Sequence, residues 1–166
     1  SEGGALSYSG TGGALRSLSA AQLPDWQCAA PLEVILGAQI GQFSGLSLFD
    51  AFNSTWTLDS RADRMGMRLL GPRLQAQRST TISEGIPLGA VQVPPDGQPI
   101  VLLNDRQTLG GYPKLGSVLS LDCALLAQAG AGTEIYFMPI SVQQAQHALR
   151  LAKVRTDAIA NTLEPI

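Results

Sequence analysis

Short apolar runs broken by glycine, proline, asparagine and aspartate set the rhythm of this chain from residue 32 onward. Leu32-Glu-Val-Ile-Leu36 is β-prone and stops at Gly37; residues 56–58 and 67–70 repeat the pattern, the latter closed by Gly71-Pro72. Further runs occur at 90–93, 100–103, 118–121 and 134–140, with Pro94-Pro95-Asp96-Gly97 and Gly110-Gly111-Tyr112-Pro113 as punctuation. Short strands at this spacing predict an antiparallel sandwich or barrel rather than a parallel α/β sheet. Helical pieces are expected near 47–53 and 124–129. After Pro139, Ser141 and Gln144 form a capping box, and Val142, Ala145, Leu149, Ala152, Ile159 and Leu163 mark one face of a C-terminal helix. Residues 1–30 are rich in Gly, Ser and Ala without a period, and read as a linker or the remnant of a preceding domain. The expected organisation is therefore 1–30 linker, 31–140 barrel, and 141–166 helix and tail.

Composition narrows the function classes. The chain has 166 residues, 45% hydrophobic and 14% charged, well below the roughly 25% charge of ordinary domains. Part of such a surface is expected to be covered by another domain or subunit. The formal net charge is −2, which gives no electrostatic footing for nucleic acid. Arg64, Arg68, Arg73 and Arg78 lie near Asp63 and Glu84 and read as a solvated edge. Cys28 and Cys123 lack metal-ligand spacing and are expected as free buried thiols rather than a disulfide. The start of the chain lacks the pattern of a secretory leader, and no apolar run approaches the ~20 residues of a membrane span. Asn53-Ser54-Thr55 is then a chance sequon, and a cytoplasmic location is expected.

The familiar catalytic constellations are missing from the sequence. His147 is the single histidine, so no metal site is expected and a histidine-based triad is disfavoured. Neither a nucleophile elbow nor a phosphate-binding glycine loop occurs. There remains polar chemistry around the run 100–103. Gln92, Gln98 and Gln107 carry amides at strand ends, where backbone bonding and ligand contact are about equally expected. Asn104, Asp105 and Arg106 suit a local ion pair or ligand positioning. Gly110 and Gly111 permit positive φ or close backbone approach, Tyr112-Pro113 stiffens the loop's exit, and Lys114 could complete an anion cradle. Arg64, next to Met65-Gly66, could bind a carboxylate or form a structural ion pair.

Asp63-Arg-Met-Gly-Met-Arg-Leu69, Ser83-Glu-Gly-Ile-Pro-Leu-Gly-Ala-Val-Gln-Val-Pro94, Asp96-Gly-Gln-Pro-Ile100 and Gln107-Thr-Leu-Gly-Gly-Tyr-Pro113 resemble the family of 5-oxoprolinase C subunits. That family was formerly labelled allophanate hydrolase subunit 2. It includes the antagonist of a sporulation-kinase inhibitor, and its fold recurs in the carboxyltransferase part of urea carboxylases. The motifs run in one order from about Leu32 to about Ile140 and cover the C-terminal half of a typical member, so the chain reads as a fragment or a split gene product. Gly37-Ala38-Gln39 replaces a common Gly-Pro, and Asp63 a frequent Asn.

The resemblance implies a mainly β, cyclophilin-like antiparallel barrel with a C-terminal α-helix. It implies two partners, the B-type subunit of the same enzyme and a third, LamB/YcsF-type protein, the complex using ATP to open 5-oxo-L-proline to glutamate. On that reading Arg64 and Lys114 are the expected catalytic donors. Gln92, Gln98, Asn104, Asp105, Gln107, Gly110, Gly111 and Tyr112 are the expected contacts to a small amide substrate. The alternatives are a non-catalytic module that binds a kinase-inhibitor-like protein, and a carboxyltransferase-type domain of a urea carboxylase-like enzyme.

Overall fold

The computed structural model describes residues 16–18, 31–77, 83–162 and 164–165. In chain order the elements are β1 (Arg16–Ser17), β2 (Leu32–Leu36), α1 (Gly45–Asn53), β3 (Trp56–Leu58), β4 (Gly66–Leu70), β5 (Glu84–Gly85) and β6 (Ala90–Gln92). They continue with β7 (Ile100–Leu102), β8 (Leu109–Gly110), β9 (Lys114–Val118), α2 (Ser120–Leu126), β10 (Glu134–Ile135), β11 (Phe137–Ile140), α3 (Val142–Thr162) and β12 (Glu164–Pro165). Two compact units divide the chain, Trp26–Gln146 and the pair Ser1–Asp25 with His147–Ile166. In the smaller unit β1 pairs antiparallel with β12, Arg16 opposite Pro165. Apart from residues 16–18, the expected 1–30 linker lies outside the described residues.

The larger unit is built on an eight-stranded sheet in the order β10-β3-β4-β7-β6-β9-β2-β11. Its two edge strands are neighbours in sequence, with Tyr136 alone between them. Thr133 O accepts from Leu58 N at 2.9 Å, and Tyr136 O accepts from Leu32 N at 2.8 Å. One segment thus bonds first to β3 and then to β2, and the sheet curls into a nearly closed barrel. The expected mainly β barrel is therefore what forms, with one parallel pairing, β11 on β2. A closing segment with a single direction must serve two strands of opposite sense, so one pairing cannot be antiparallel.

The barrel interior holds Leu32, Val34, Trp56, Leu69, Val91, Val101, Leu115, Ile135 and Phe137, all buried. Trp56 and Phe137, from β3 and β11 on either side of the closure, meet as a tilted ring pair with centroids 6.2 Å apart. The indole N–H of Trp56 donates to Ala51 O at 3.2 Å, tying α1 to the core. Ser44 caps α1, its Oγ accepting from Ser47 N at 3.1 Å, which satisfies one of the helix's orphan donors. The capping box at α3 forms as expected: Gln144 N donates to Ser141 Oγ at 3.2 Å, and Ser141 N donates to Gln144 Oε1 at 2.8 Å.

Several boundaries differ from the sequence expectation, among them the helix expected near 124–129, which spans Ser120–Leu126. The strand expected at 118–121 ends at Val118, and the residues from Ser120 open α2 instead. The strand expected at 134–140 is split by Tyr136, because its two halves bond to different partners. The Pro94–Gly97 turn is as expected, with Gly97 N donating to Pro94 O at 2.9 Å. Gly97 adopts φ +78°, and a Cβ there would lie 2.4 Å from Arg73 Cγ, so glycine is required on both counts.

Truncating Phe137 to alanine should remove the ring that packs across the closure and cost about 3–5 kcal/mol. Urea unfolding monitored by tryptophan fluorescence reads this directly; a loss below about 1 kcal/mol, small for a buried aromatic, would contradict the closure being the centre of the core.

Candidate functional site

Adjacent strands β4, β7 and β6 alternate sides, so odd-numbered Met67, Val101 and Val91 point into the core. The even-numbered row faces the other way: Arg68 lies opposite Ile100, and Ile100 opposite Gln92. Between Val91 and Gln92 the register with β9 shifts, placing Gln92 opposite Lys114. Over this outward face lies a small antiparallel ribbon of β5 and β8, in which Glu84 is opposite Gly110. Ile86 beside the ribbon packs with Ala90 and Leu102 in a second apolar cluster, with Ile100 against it.

A cleft of about 240 Å³ opens on this face, lined by Arg61, Arg68, Gln92, Ile100, Gln107 and Tyr112 among others. Gln92 is 2% exposed, and its side-chain Nε2 is buried with no hydrogen-bond partner among the described residues. A buried N–H without an acceptor costs about 1–3 kcal/mol, and native structures rarely carry one without a reason. Arg68 is half-buried, and its guanidinium has no hydrogen bond or ion pair among the described residues. Arg61 differs, since its Nε donates to Asp59 Oδ2 at 2.8 Å and its backbone N to Asp59 Oδ1 at 3.1 Å. Asp63 also borders the cleft, but its Oδ1 accepts from Met65 N and Gly66 N at 2.9 and 3.1 Å. Across an isoleucine the cleft thus sets a guanidinium without a counter-charge among the described residues against the side-chain amide of Gln92, whose N–H is enclosed beneath Gly110.

The residues singled out in the sequence separate into several places. Gln92, Gln107 and Tyr112 meet in this cleft. Arg64 and Asn104 line another, of about 210 Å³, beside Cys123. Arg64 is 89% exposed along its side chain and pairs with Asp105, Nε to Oδ2 at 3.1 Å. Lys114 lines a third, about 100 Å³, where its Nζ meets Glu84 Oε1 at 2.6 Å. Gln98 lines none of these clefts: its amide clamps Gly71, accepting from Gly71 N at 2.9 Å and donating to Gly71 O at 3.2 Å. Gly111 borders a groove of about 510 Å³ with Arg73, Gln75 and Pro95. Gly110 does not use positive φ. Its role is close approach, since a Cβ there would lie 2.5 Å from Ile86 Cδ1 and 2.8 Å from Gln92 Nε2.

Arg68, Arg61 and Ile100 were not expected at a site. The sequence places Arg68 in a solvated arginine edge, whereas the side chain faces the cleft half-buried. Its signal is present in the alternation Met67-Arg68-Leu69, which puts the arginine on the face opposite two core residues. Cys123 is a free buried thiol whose pKa is pushed up to about 11, chiefly by burial, which leaves it unreactive at neutral pH. Cys28 lies outside the described residues. Among the described residues no cluster of metal-binding side chains occurs, and no helix is long and apolar enough to cross a membrane.

Residues 3–139 match the family described as "Carboxyltransferase domain, subdomain A and B", and the chain belongs to that family. The match begins well before Leu32, where the motifs alone had placed its start. Among curated relatives, the 5-oxoprolinase C subunit of Haemophilus influenzae is 39% identical over 123 residues, which are 74% of this chain and 40% of that protein. The C subunit of the Escherichia coli enzyme is 38% identical over 118 residues, 70% of this chain and 38% of that protein. The chain therefore spans about 40% of the length of the relatives it matches. The crystal structure of Kluyveromyces lactis urea amidolyase superposes with a TM-score of 0.70 at 24% identity, over 89% of this chain and 9% of that one. That likeness is one of fold.

Asp59 beside the cleft gives a pH signature. The Arg61 side chain, then the Arg61 backbone N–H, hold its carboxyl down from 3.8 to about 2. A depressed carboxylate contributes stability that is complete above its unfolded value and is lost as pH falls through its folded value. Wild-type thermal stability should therefore drop as pH falls from 3.8 to about 2. Asp59→Asn should be less stable at neutral pH and show a shallower drop across that acid window. Parallel slopes in thermal melts of the two proteins would refute the assignment.

Proposed function

We propose that this chain supplies the carboxyltransferase-type part of a 5-oxoprolinase C subunit. In this reading it works in a cytoplasmic complex with the B-type subunit and a LamB/YcsF-type protein, using ATP to open 5-oxo-L-proline to glutamate. The names of two of its relatives, C subunits of 5-oxoprolinase, support the assignment. The observation that carries it is the buried Gln92 Nε2, without an acceptor among the described residues, two strands across from Arg68, whose guanidinium is unpaired among the same residues.

Two strand spacings separate the Cα atoms of Arg68 and Gln92 by roughly 10 Å, and the long arginine side chain shortens the span between their donors. A small ring carrying a carboxylate and a lactam carbonyl has acceptors that match both donors and an apolar body for Ile100. Arg68 pairs with the carboxylate, where a planar guanidinium is the best partner. Gln92 donates to the lactam oxygen. As that carbonyl is attacked or phosphorylated, charge develops on its oxygen, and a fixed donor stabilises it. Coupling to ATP suits a resonance-stabilised lactam, and the nucleotide site is assigned to the complex. Arg64 and Lys114, expected as catalytic donors, take no part in this cleft.

Arg68→Met and Gln92→Leu each remove one matched donor, worth about 1.5–3 kcal/mol for a bond to a charged group. In the complex assembled with both partners, each should lower kcat/KM for 5-oxoproline-dependent ATP hydrolysis by about 10- to 100-fold. Arg73→Met, outside the cleft, should remain within about twofold. A fully assembled complex without this activity, or wild-type rates in both cleft variants, would overturn the proposal.

A further inference from the structure

Four contacts around the ribbon form a closed circuit. Gln92 and Lys114 are cross-strand partners on the barrel, and Glu84 and Gly110 are cross-strand partners on the ribbon. Lys114 Nζ meets Glu84 Oε1 at 2.6 Å. Gly110 sits so close over the Gln92 amide that a single added Cβ would come within 2.8 Å of Nε2. Gln39 completes the tie: its Nε2 donates to Glu84 Oε1, while its Oε1 accepts from Lys114 N at 2.8 Å.

This arrangement has unusual features for a plain surface ion pair. Lys114 is 14% exposed along its side chain, so its charge is screened less than that of a solvated lysine. Both donors converge on one carboxylate oxygen of a strand only two residues long, and so short a ribbon has little backbone bonding of its own. Its position over the barrel therefore rests on Ile86 packing, on Arg106 Nε donating to Ile86 O at 3.0 Å, and on the Glu84 tie.

We propose that Glu84, Lys114 and Gln39 form a latch that positions the ribbon, and that the latched Gly110 backbone, lying against Nε2, fixes the orientation of the Gln92 side-chain amide at the edge of the cleft. They are positioning residues: they act on the ligand through Gln92 and touch none of it. Lys114, expected from sequence as an anion donor, is reassigned to this role. The consequence for ligand binding rests on the proposed use of Gln92 above; the mechanical coupling does not.

Glu84→Gln and Lys114→Met test the latch. In the chain alone, each should shift the Gln92 side-chain amide resonance, assigned by its loss in Gln92→Leu. Each should also speed backbone hydrogen exchange at residues 109–111 about fivefold or more, with β3, β4 and β7 unchanged. In the assembled complex, KM for 5-oxo-L-proline should rise about 5- to 10-fold with kcat nearly kept. The charge-reversed pair Glu84→Lys with Lys114→Glu should restore both readouts. An unchanged Gln92 resonance and exchange rate would overturn the latch, as would faster exchange spread evenly over the barrel or no restoration by the reversed pair. If these physical readouts respond while Arg68→Met and Gln92→Leu leave turnover intact, the latch stands and the proposed substrate site falls.

Discussion

The closure at residues 134–140 is the constraint on which the rest of the structure depends. An open sheet of this size would present two edges of unpaired backbone groups, a standing invitation to aggregation. Here Tyr136 lets one segment satisfy β3 on one side and β2 on the other. Trp56 and Phe137 then fill the interior at the seam. Closure decides which face of every strand is core. Once Met67, Val91 and Val101 are committed inward, Arg68, Ile100 and Gln92 have no choice but the outward face. The cleft follows from the barrel by the two-residue period of a strand.

Gln92 and Gln98 show how the same side chain can serve opposite ends. Gln98 uses its carbonyl and its amide on the two backbone groups of Gly71. It is satisfied and structural, as polar side chains within a fold usually are. Gln92 is more deeply enclosed, 2% exposed, yet keeps an N–H without an acceptor among the described residues. A leucine of similar shape would have removed that cost, so its presence in so apolar a neighbourhood argues for an acceptor that arrives with a ligand.

Most of the barrel was readable because strands announce themselves locally. Leu32–Leu36 and Trp56–Leu58 emerged with the expected bounds, and the Pro-Asp-Gly turn and the Ser141–Gln144 capping box rest on contacts three residues or fewer apart. The split at Tyr136 was not readable, because it depends on partners near opposite ends of the sheet order and remote in sequence. The ribbon was missed for a related reason: Glu84–Gly85 and Leu109–Gly110 are too short to show a period. Site residues were legible in type but not in grouping. Gln92, Gln107 and Tyr112 came together, whereas Arg64, Lys114, Asn104 and Gln98 went elsewhere, because register across β4, β7, β6 and β9 decides neighbours and the sequence carries no record of register. The family motifs mark where residues matter without separating those that touch a ligand from those that hold the frame.

On the proposed reading, charge pairing is what gives the cleft its preference for an anion in a protein that is itself slightly negative. Several cations near the opening strands are already matched: Arg61 by Asp59, Arg64 by Asp105, and Lys114 by Glu84. Each pair cancels most of its own field a few ångströms away. Asp63 borders the cleft, yet its Oδ1 caps its own turn. Among the described lining residues this leaves Arg68 as the guanidinium without a counter-charge, half-buried and beside apolar Ile100 and Leu102. Low-dielectric walls strengthen its pull on a carboxylate relative to the same arginine in water. On that reading the neutral amide of Gln92 adds direction without adding charge, which suits a monoanion carrying a carbonyl better than a polyanion.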